Sequence, residues 1–246
     1  MEMLRAQRWP LLELLVAAEF PDDIRKELCA LSESCQVRAD VVSGSRLTQL
    51  CGTDEHQGLL ARMAEFPYGT TADWGLFLAQ RMANPGTPPL FVICDHIQDA
   101  HNFGAILRCC EGAAATAVVV ESRQQAAVTP HVARSSAGAV NYLDLFRVDE
   151  LADLLQSLKD VGVLIVAATE KASTPLWQAG LGVAVAIVVG SEAAGIRPEL
   201  LEICDCHVSI PMLGQVTSLN AAVAAGVLMY EVRRQHHALI AGGPGP

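Results

Sequence analysis

A mainly parallel β-sheet with helices on both faces is the fold this sequence predicts for its larger part, and three features predict it. Strand-like and helical patterns alternate at a regular rhythm from Pro89 to Arg234. The first strand of that series, Leu90-Phe91-Val92-Ile93-Cys94, is apolar without interruption, as a strand covered on both faces must be. Two later apolar strands run into sharp bends, Gly190-Ser191-Glu192-Ala193-Ala194-Gly195 and Ile210-Pro211-Met212, and a helix opens at Ser218-Leu219-Asn220. Loops and helix starts at the carboxyl end of a parallel sheet are where an α/β protein builds its ligand site.

At 246 residues the chain has room for a catalytic domain of about 150 residues and a smaller companion. Its hydrophobic share of 51 % fills a core without implying a membrane protein. The longest apolar runs, 180–190 and 221–230, reach about half of the roughly 20 residues a spanning helix needs. No basic patch followed by an apolar run and a small-residue cleavage site opens the chain, so no signal peptide is expected and a cytoplasmic location is. Eight cysteines spread through a large apolar chain read as packed, reduced thiols. Cys204-Asp205-Cys206-His207 has no second ligand pair at zinc spacing, and no metal is expected. The formal charge of −10, with only three lysines, speaks against a nucleic-acid partner held by a broad basic field. RNA binding then requires a local arginine cluster.

Residues 1–68 read as a small α/β unit. A helix is expected over Leu11 to Ala18, and another from Asp23 to Ser32 after Pro21-Asp22-Asp23, where proline suits a first turn and carboxylates suit the positive end of the helix dipole. A strand follows over Gln36 to Val42, then a helix from Ser45 to Cys51 closed by Gly52, and an apolar strand from His56 to Arg62. Residues 69–88 are dense in Pro and Gly and mark a junction, with one helix near Trp74 to Met82. Residues 89–241 form the larger domain and 242–246 a frayed tail.

The nucleotide fingerprints G-x-G-x-x-G and G-x-x-x-x-G-K-[ST] are missing, which disfavours hydride transfer and P-loop phosphotransfer. Asn102 and Arg108 lie 1.7 helical turns apart: Asn102 at a helix start reaches the cleft above the strands, while Arg108 extends along the helix body. Capping by Asn102, or by Asp99 in its place, is the plainer reading of that stretch. Ser218-Leu219-Asn220 likewise reads as a cap before a helix whose flank, Ala221, Ala222, Ala224, Ala225 and Gly226, leaves room for a neighbouring helix or a second subunit. Glu192 is either a solvated turn residue or a carboxylate held at the site.

Taken together, N-x-G-A-x-x-R at 102–108, V-G-S-E-x-x-G at 189–195 and I-P-M-x-G-x-x-x-S-L-N at 210–220 resemble, in order and spacing, the three motifs of the SpoU (TrmH-like) branch of the SPOUT RNA methyltransferases. The resemblance covers roughly residues 89–235 and implies a trefoil-knotted α/β domain. It implies S-adenosylmethionine as cofactor, bent in a pocket lined by Thr169, Gly190, Glu192, Gly195, Ile210, Met212, Ser218, Leu219 and Asn220. The reaction implied is methyl transfer to a ribose 2′-hydroxyl in ribosomal or transfer RNA, a 23S rRNA or tRNA guanosine in the first instance. Arg108, Asn102, Glu192, Ser218 and Asn220 form the implied catalytic set. A guanidinium with a pKa above about 12 is a poor base, so Arg108 is better suited to clamp a phosphate and steady the alkoxide. Members of the family are homodimers, and Arg134 is the candidate for an RNA-binding arginine that completes the partner's site. Residues 1–68 resemble, more loosely, the ribosomal-protein-like substrate-binding domain that precedes many such enzymes, with His56-Gln57-Gly58 matching its closing motif. Ala100 stands where the family commonly has proline. Two other classes stay open: a catalytically inert RNA-binding or assembly protein on the same fold, and a small-molecule α/β enzyme, either of which suits the acidic balance.

Overall fold

A computed structural model describes residues 1–83 and 86–240. The expected tail at 242–246 lies outside the described residues. The chain divides into two compact units, Met1–Pro67 and Tyr68–Pro246.

The first unit runs α1 (Glu2–Ala6), β1 (Leu11–Ala17), α2 (Asp22–Ser34), β2 (Ala39–Val42), α3 (Gly44–Cys51) and β3 (Leu59–Met63). Its three strands are ordered β2-β1-β3, with β1 parallel to β2 and antiparallel to β3. The helix expected over 11–18 is therefore wrong: this stretch is the central strand. Leu14 and Val16 pack into one apolar cluster with Leu4 and Leu28, whereas Leu15 and Ala17 pack into another with Leu47. A strand buried on both faces loses the alternation that would announce it and reads like one side of a buried helix. The helix expected from Ser45 to Cys51 does form, and Gly52 closes it at φ 73°. The strands expected from Gln36 and His56 begin later, at Ala39 and Leu59.

The second unit runs α4 (Thr71–Ala83), β4 (Leu90–Asp95), α5 (Ala100–Gly112), β5 (Ala117–Glu121), α6 (Pro130–Ser135), β6 (Leu145–Val148) and α7 (Leu151–Asp160). It continues with β7 (Leu164–Ala168), β8 (Thr174–Pro175), β9 (Val185–Gly190), α8 (Pro198–Ile203), β10 (Cys206–Ser209) and α9 (Ala221–Ile240). The seven strands form one parallel sheet in the order β6-β5-β4-β9-β7-β10-β8. Every residue of β4 and β5 is buried, as the uninterrupted apolar runs require. Helix α4, which lies within the stretch expected as a junction, is less a linker than a wall of this unit. Trp74 and Leu78 of α4 enter its main core, where the Trp74 ring meets Phe91 at 5.8 Å and Phe146 at 5.1 Å. β9 is laid between β4 and β7, both formed earlier in the chain, so its end at Gly190 lies beside Asp95, the last residue of β4. That juncture is the switch point of the sheet, the place where such folds bind ligands.

Candidate active site

Three separated segments meet at the carboxyl ends of β4 and β9. Asp99, rather than Asn102, caps α5: its Oδ1 accepts from Asn102 N at 2.7 Å, which holds Asn102 in the first helical turn. Gly104 lets α6 approach, since a Cβ there would stand 1.9 Å from Ser135 Oγ. From this position Asn102 Nδ2 donates to Glu192 Oε1, and Asn220 Nδ2 donates to Asn102 Oδ1 at 2.9 Å. Asn220 Oδ1 accepts from Ala222 N at 3.0 Å and Val223 N at 3.3 Å, so Asn220 is the cap of α9. The helix expected from Ser218 thus begins at Ala221, and Ser218 is not its cap.

The direction of this relay is set by chemistry. An ionised carboxylate only accepts, so Asn102 must turn its NH2 toward Glu192 and its oxygen toward Asn220. Asn220 must then offer its own NH2, leaving its oxygen to the first free N–H groups of α9. Negative charge at Glu192 is in this way connected through two amides to the positive end of a 20-residue helix.

Beside the relay lies a cavity of about 600 Å³, within the range of small-molecule and cofactor sites. Thr169, Gly190, Glu192, Gly195, Ile210, Met212, Ser218, Leu219 and Asn220 all line it. Glycine at 190 is a steric requirement: a Cβ there would lie 2.2 Å from the carbonyl carbon of Gly195, which itself turns the chain at φ 69°. The Gly195 N–H closes the turn on Ser191 O at 2.9 Å. The lining mixes backbone, apolar side chains and few charges, a donor set suited to a cofactor with a planar ring and a flexible polar arm. Glu170, Lys171, Thr217 and Leu201 also line it and were not anticipated. They sit in loops and a short helix that no spacing rule ties to the three motifs.

Arg108 and Arg134 do not join the cavity wall. Arg108 is exposed on α5 and makes no hydrogen bond or ion pair with the described residues. Six residues of helix separate it from Asn102 by about 9 Å of rise. Arg134 is exposed on α6. The small-residue flank of α9 is used within the chain: Ala221, Ala222 and Ala225 are buried, and a Cβ at Gly226 would lie 3.3 Å from Cys109 Sγ on α5. That flank is thus packed in part against α5 of the same chain. The outward stripe of α9 is different, with Val223, Val227 and Tyr230 exposed at helical spacing.

Beneath the loop at 191–197 lies a group that sequence reasoning passed over. Asp95 is fully buried at the end of β4, and Glu121 is buried at the end of β5. Arg197 reaches both, with Nε 2.7 Å from Asp95 Oδ1 and Nη2 3.1 Å from Glu121 Oε1, while His96 Nε2 lies 3.0 Å from Glu121 Oε2. Burial pushes the Glu121 carboxyl up, but the hydrogen bonds from Arg197 and His96 outweigh it and hold the group below the ordinary carboxylate range.

The five thiols of the second unit are not ready nucleophiles. Burial pushes Cys94 and Cys204 up to about 12, and raises Cys109, Cys110 and Cys206 as well. Asp205 is taken by Lys159 Nζ at 2.9 Å and Ile165 N at 2.8 Å. Among the described residues, no group of three or more His, Cys, Asp or Glu side chains is placed to hold a metal, and no helix is long and apolar enough to cross a membrane. A larger cavity, about 840 Å³, opens at the amino ends of β4, β5 and β6. Its arginines are already engaged: Arg233 with the carbonyls of Pro88, Ala113 and Ala114, Arg81 with Asp144, and Arg234 with Glu231. That cavity lies between the end of α5 and the body of α9, at the opposite end of the strands from the three motifs.

The family model described as SpoU rRNA Methylase family matches residues 89–230, the portion that carries all three motifs and the cavity. The chain belongs to the SpoU rRNA methylase family. It is thereby an RNA methyltransferase by descent, and residues 1–69 match a second family model, RNA 2′-O ribose methyltransferase substrate binding. A putative TrmH family tRNA/rRNA methyltransferase of Staphylococcus saprophyticus is 35 % identical over 220 residues, covering 88 % of this chain and 86 % of the relative. A 23S rRNA (guanosine-2′-O-)-methyltransferase of a Burkholderia species is 35 % identical over 205 residues, covering 83 % and 81 %. The crystal structure of an AdoMet-bound rRNA methyltransferase from Sinorhizobium meliloti shares the fold at a TM-score of 0.78 and 21 % identity, over 95 % of this chain and 84 % of that one.

Proposed function

We propose that this SpoU-family chain transfers a methyl group from S-adenosylmethionine to a ribose 2′-hydroxyl of ribosomal or transfer RNA, with a guanosine of 23S rRNA or tRNA as the first substrate to test. The observation that carries the reading is the hydrogen-bonded relay joining Glu192, Asn102 and Asn220, which unites residues 90 and 118 positions apart at the edge of the cavity. The cofactor, when bound, supplies an already activated methyl on its sulfonium.

The chain's own residues supply position and charge. Gly190 and Gly195 offer bare backbone, Ile210, Met212 and Leu219 offer apolar contact, and Thr169, Ser218 and Glu192 offer polar groups along the cavity. Asn102 and Asn220, locked in orientation by their mutual hydrogen bond, hold the ribose and its phosphate in line with the methyl, where placement within an ångström governs rate. Arg108 stands unpaired on the surface and is available to a phosphate of the incoming RNA. Its guanidinium steadies the developing alkoxide and does not take the proton, which passes from the hydroxyl to solvent water as the methyl leaves the sulfonium.

The substrate-binding unit presents the RNA, and two copies of the chain associate through the outward stripe of α9, with Arg134 reaching the neighbouring site. The trefoil threading implied by the family is supported by the insertion of β9 between β4 and β7 and by the return of α9 onto α5. A cytoplasmic location follows from the substrate class.

Mapping 2′-O-methyl groups in RNA from cells with and without the gene tests the reaction. One lost ribose methylation is expected; unchanged maps, together with no calorimetric binding of S-adenosylmethionine, would sink the reading and favour the inert RNA-binding alternative.

A further inference from the structure

Loop 191–197 forms one wall of the cavity and carries Glu192, yet it contains two alanines and a glycine and has little side chain with which to hold itself. Its near end is held by the hydrogen bond from Asn102 to Glu192, and its middle by Ser191, which receives Gly195 N on its carbonyl and Ala194 N on its hydroxyl at 3.2 Å. Its far end is held by charge. Both oxygens of the fully buried Asp95 are occupied by a single residue, Arg197, through Nε at 2.7 Å and through the backbone N–H at 2.8 Å. The same guanidinium then turns Nη2 to Glu121, which also receives His96 and, at 3.4 Å, Leu151 N.

Resting on the function proposed above, we infer that Arg197 is a positioning residue for methyl transfer: a half-buried clamp that ties loop 191–197 to the buried carboxylates at the ends of β4 and β5 and so fixes Glu192 and the cavity wall for the methyl donor. Three considerations carry this. Arg197 does not itself line the cavity, so it acts through the loop. Two carboxylates in adjacent strand ends, sharing one guanidinium, make a poor choice for stability alone, since well-packed apolar residues of the same volume commonly do as well or better. What the ion cluster adds is direction: a planar fork with donors at fixed angles admits one placement of the backbone at 197, where an apolar contact admits many. The neighbouring residues, Ile196 and Leu201, carry that placement to the cavity, which both of them line.

The test compares the parent chain with Arg197→Met and with the double variant Asp95→Asn/Arg197→Met, which removes the buried unpaired carboxylate that the single change leaves behind. Amide hydrogen exchange without any ligand reads the clamp directly. Exchange at 191–196 is expected to rise at least tenfold in the double variant, while strands β4 and β5 stay protected. In steady state the KM for S-adenosylmethionine is expected to rise at least tenfold and kcat to fall, with the KM for RNA within twofold of the parent. Unchanged exchange at 191–196, or donor affinity within twofold of the parent, overturns the inference. Loss of protection throughout the sheet, with affinity for donor and for RNA falling together, overturns it as well by assigning Arg197 to the fold alone. If the parent chain fails to bind the donor, the exchange experiment still decides the clamp and the failure belongs to the proposed function.

Discussion

Asn220 performs two tasks with one amide, and the two can be separated. Its oxygen caps α9, and its NH2 donates to Asn102. Aspartate caps a helix as well as asparagine does but has nothing to donate. Asn220→Asp is therefore expected to melt within a degree or two of the parent and to methylate about a hundredfold more slowly, the scale of loss that a small misplacement of reacting groups brings. Asn220→Ala should lose activity similarly and about 1 kcal/mol of stability besides. Thermal melts and single-turnover rates on the two variants check this; equal melting losses would mean that the cap is not made. Gly190→Ala brings a Cβ to within 2.2 Å of the Gly195 carbonyl carbon, and overpacking of that kind costs about 1–3 kcal/mol. Donor binding should be lost before folding is, because the strain falls on the cavity wall. These positions were legible in the sequence because each sits at a strand end or helix start, where the residue types required are few. Asp95 and Arg197 were not, since they lie 102 residues apart and a single aspartate after an apolar strand looks like any turn residue.

Among the elements, α9 shows how a helix whose presence its pattern announces, though it starts three residues later than expected, can hide the contacts that fix it. Its small-residue flank suggested a close neighbour, and the neighbour is α5 of the same chain. The joint is completed by polar groups whose partners no pattern discloses. Arg233 caps the carbonyls at the end of α5 and lies 3.0 Å from Nδ1 of the buried His236, whose Nε2 lies 2.7 Å from Val183 O. With Nε2–H donating to that carbonyl, Nδ1 is the acceptor for Arg233 and the ring is neutral. Burial first, and the nearby Arg233 charge as well, lower the pKa of His236 below its ordinary value. The folded state thus binds fewer protons here than the unfolded one. The stabilisation is complete above about pH 6.5 and is lost as pH falls from there through the lower folded value. Melting temperature should drop between pH 7.5 and 5.5, and His236→Gln, which cannot titrate, should flatten that part of the profile even if it melts lower throughout. Strand β1 teaches the complementary lesson: its alternation was invisible because both faces are covered, so only the pairing partners β2 and β3 reveal it.

Over the whole molecule, the acidic balance and the RNA substrate have to be reconciled. Each of the two units carries more carboxylates than basic side chains, so no broad field draws RNA to either. What the second unit does offer is a few exposed arginines, Arg108, Arg123 and Arg134, none of them tied up by a hydrogen bond or ion pair with the described residues. Affinity built that way must come from few phosphates and from fitted contacts. Each phosphate neutralised on single-stranded RNA adds about −0.7 to the slope of log K against log salt. Titration of a substrate RNA between 50 and 200 mM salt, on the order of the range where such slopes are read, should therefore give a slope no steeper than about −3. Arg108→Ala should flatten it by about one phosphate's worth while leaving S-adenosylmethionine binding within twofold. A slope beyond about −6 would require a basic surface that this sequence does not contain. Such a result would transfer the source of affinity from these arginines to something the two acidic units acquire only on assembly.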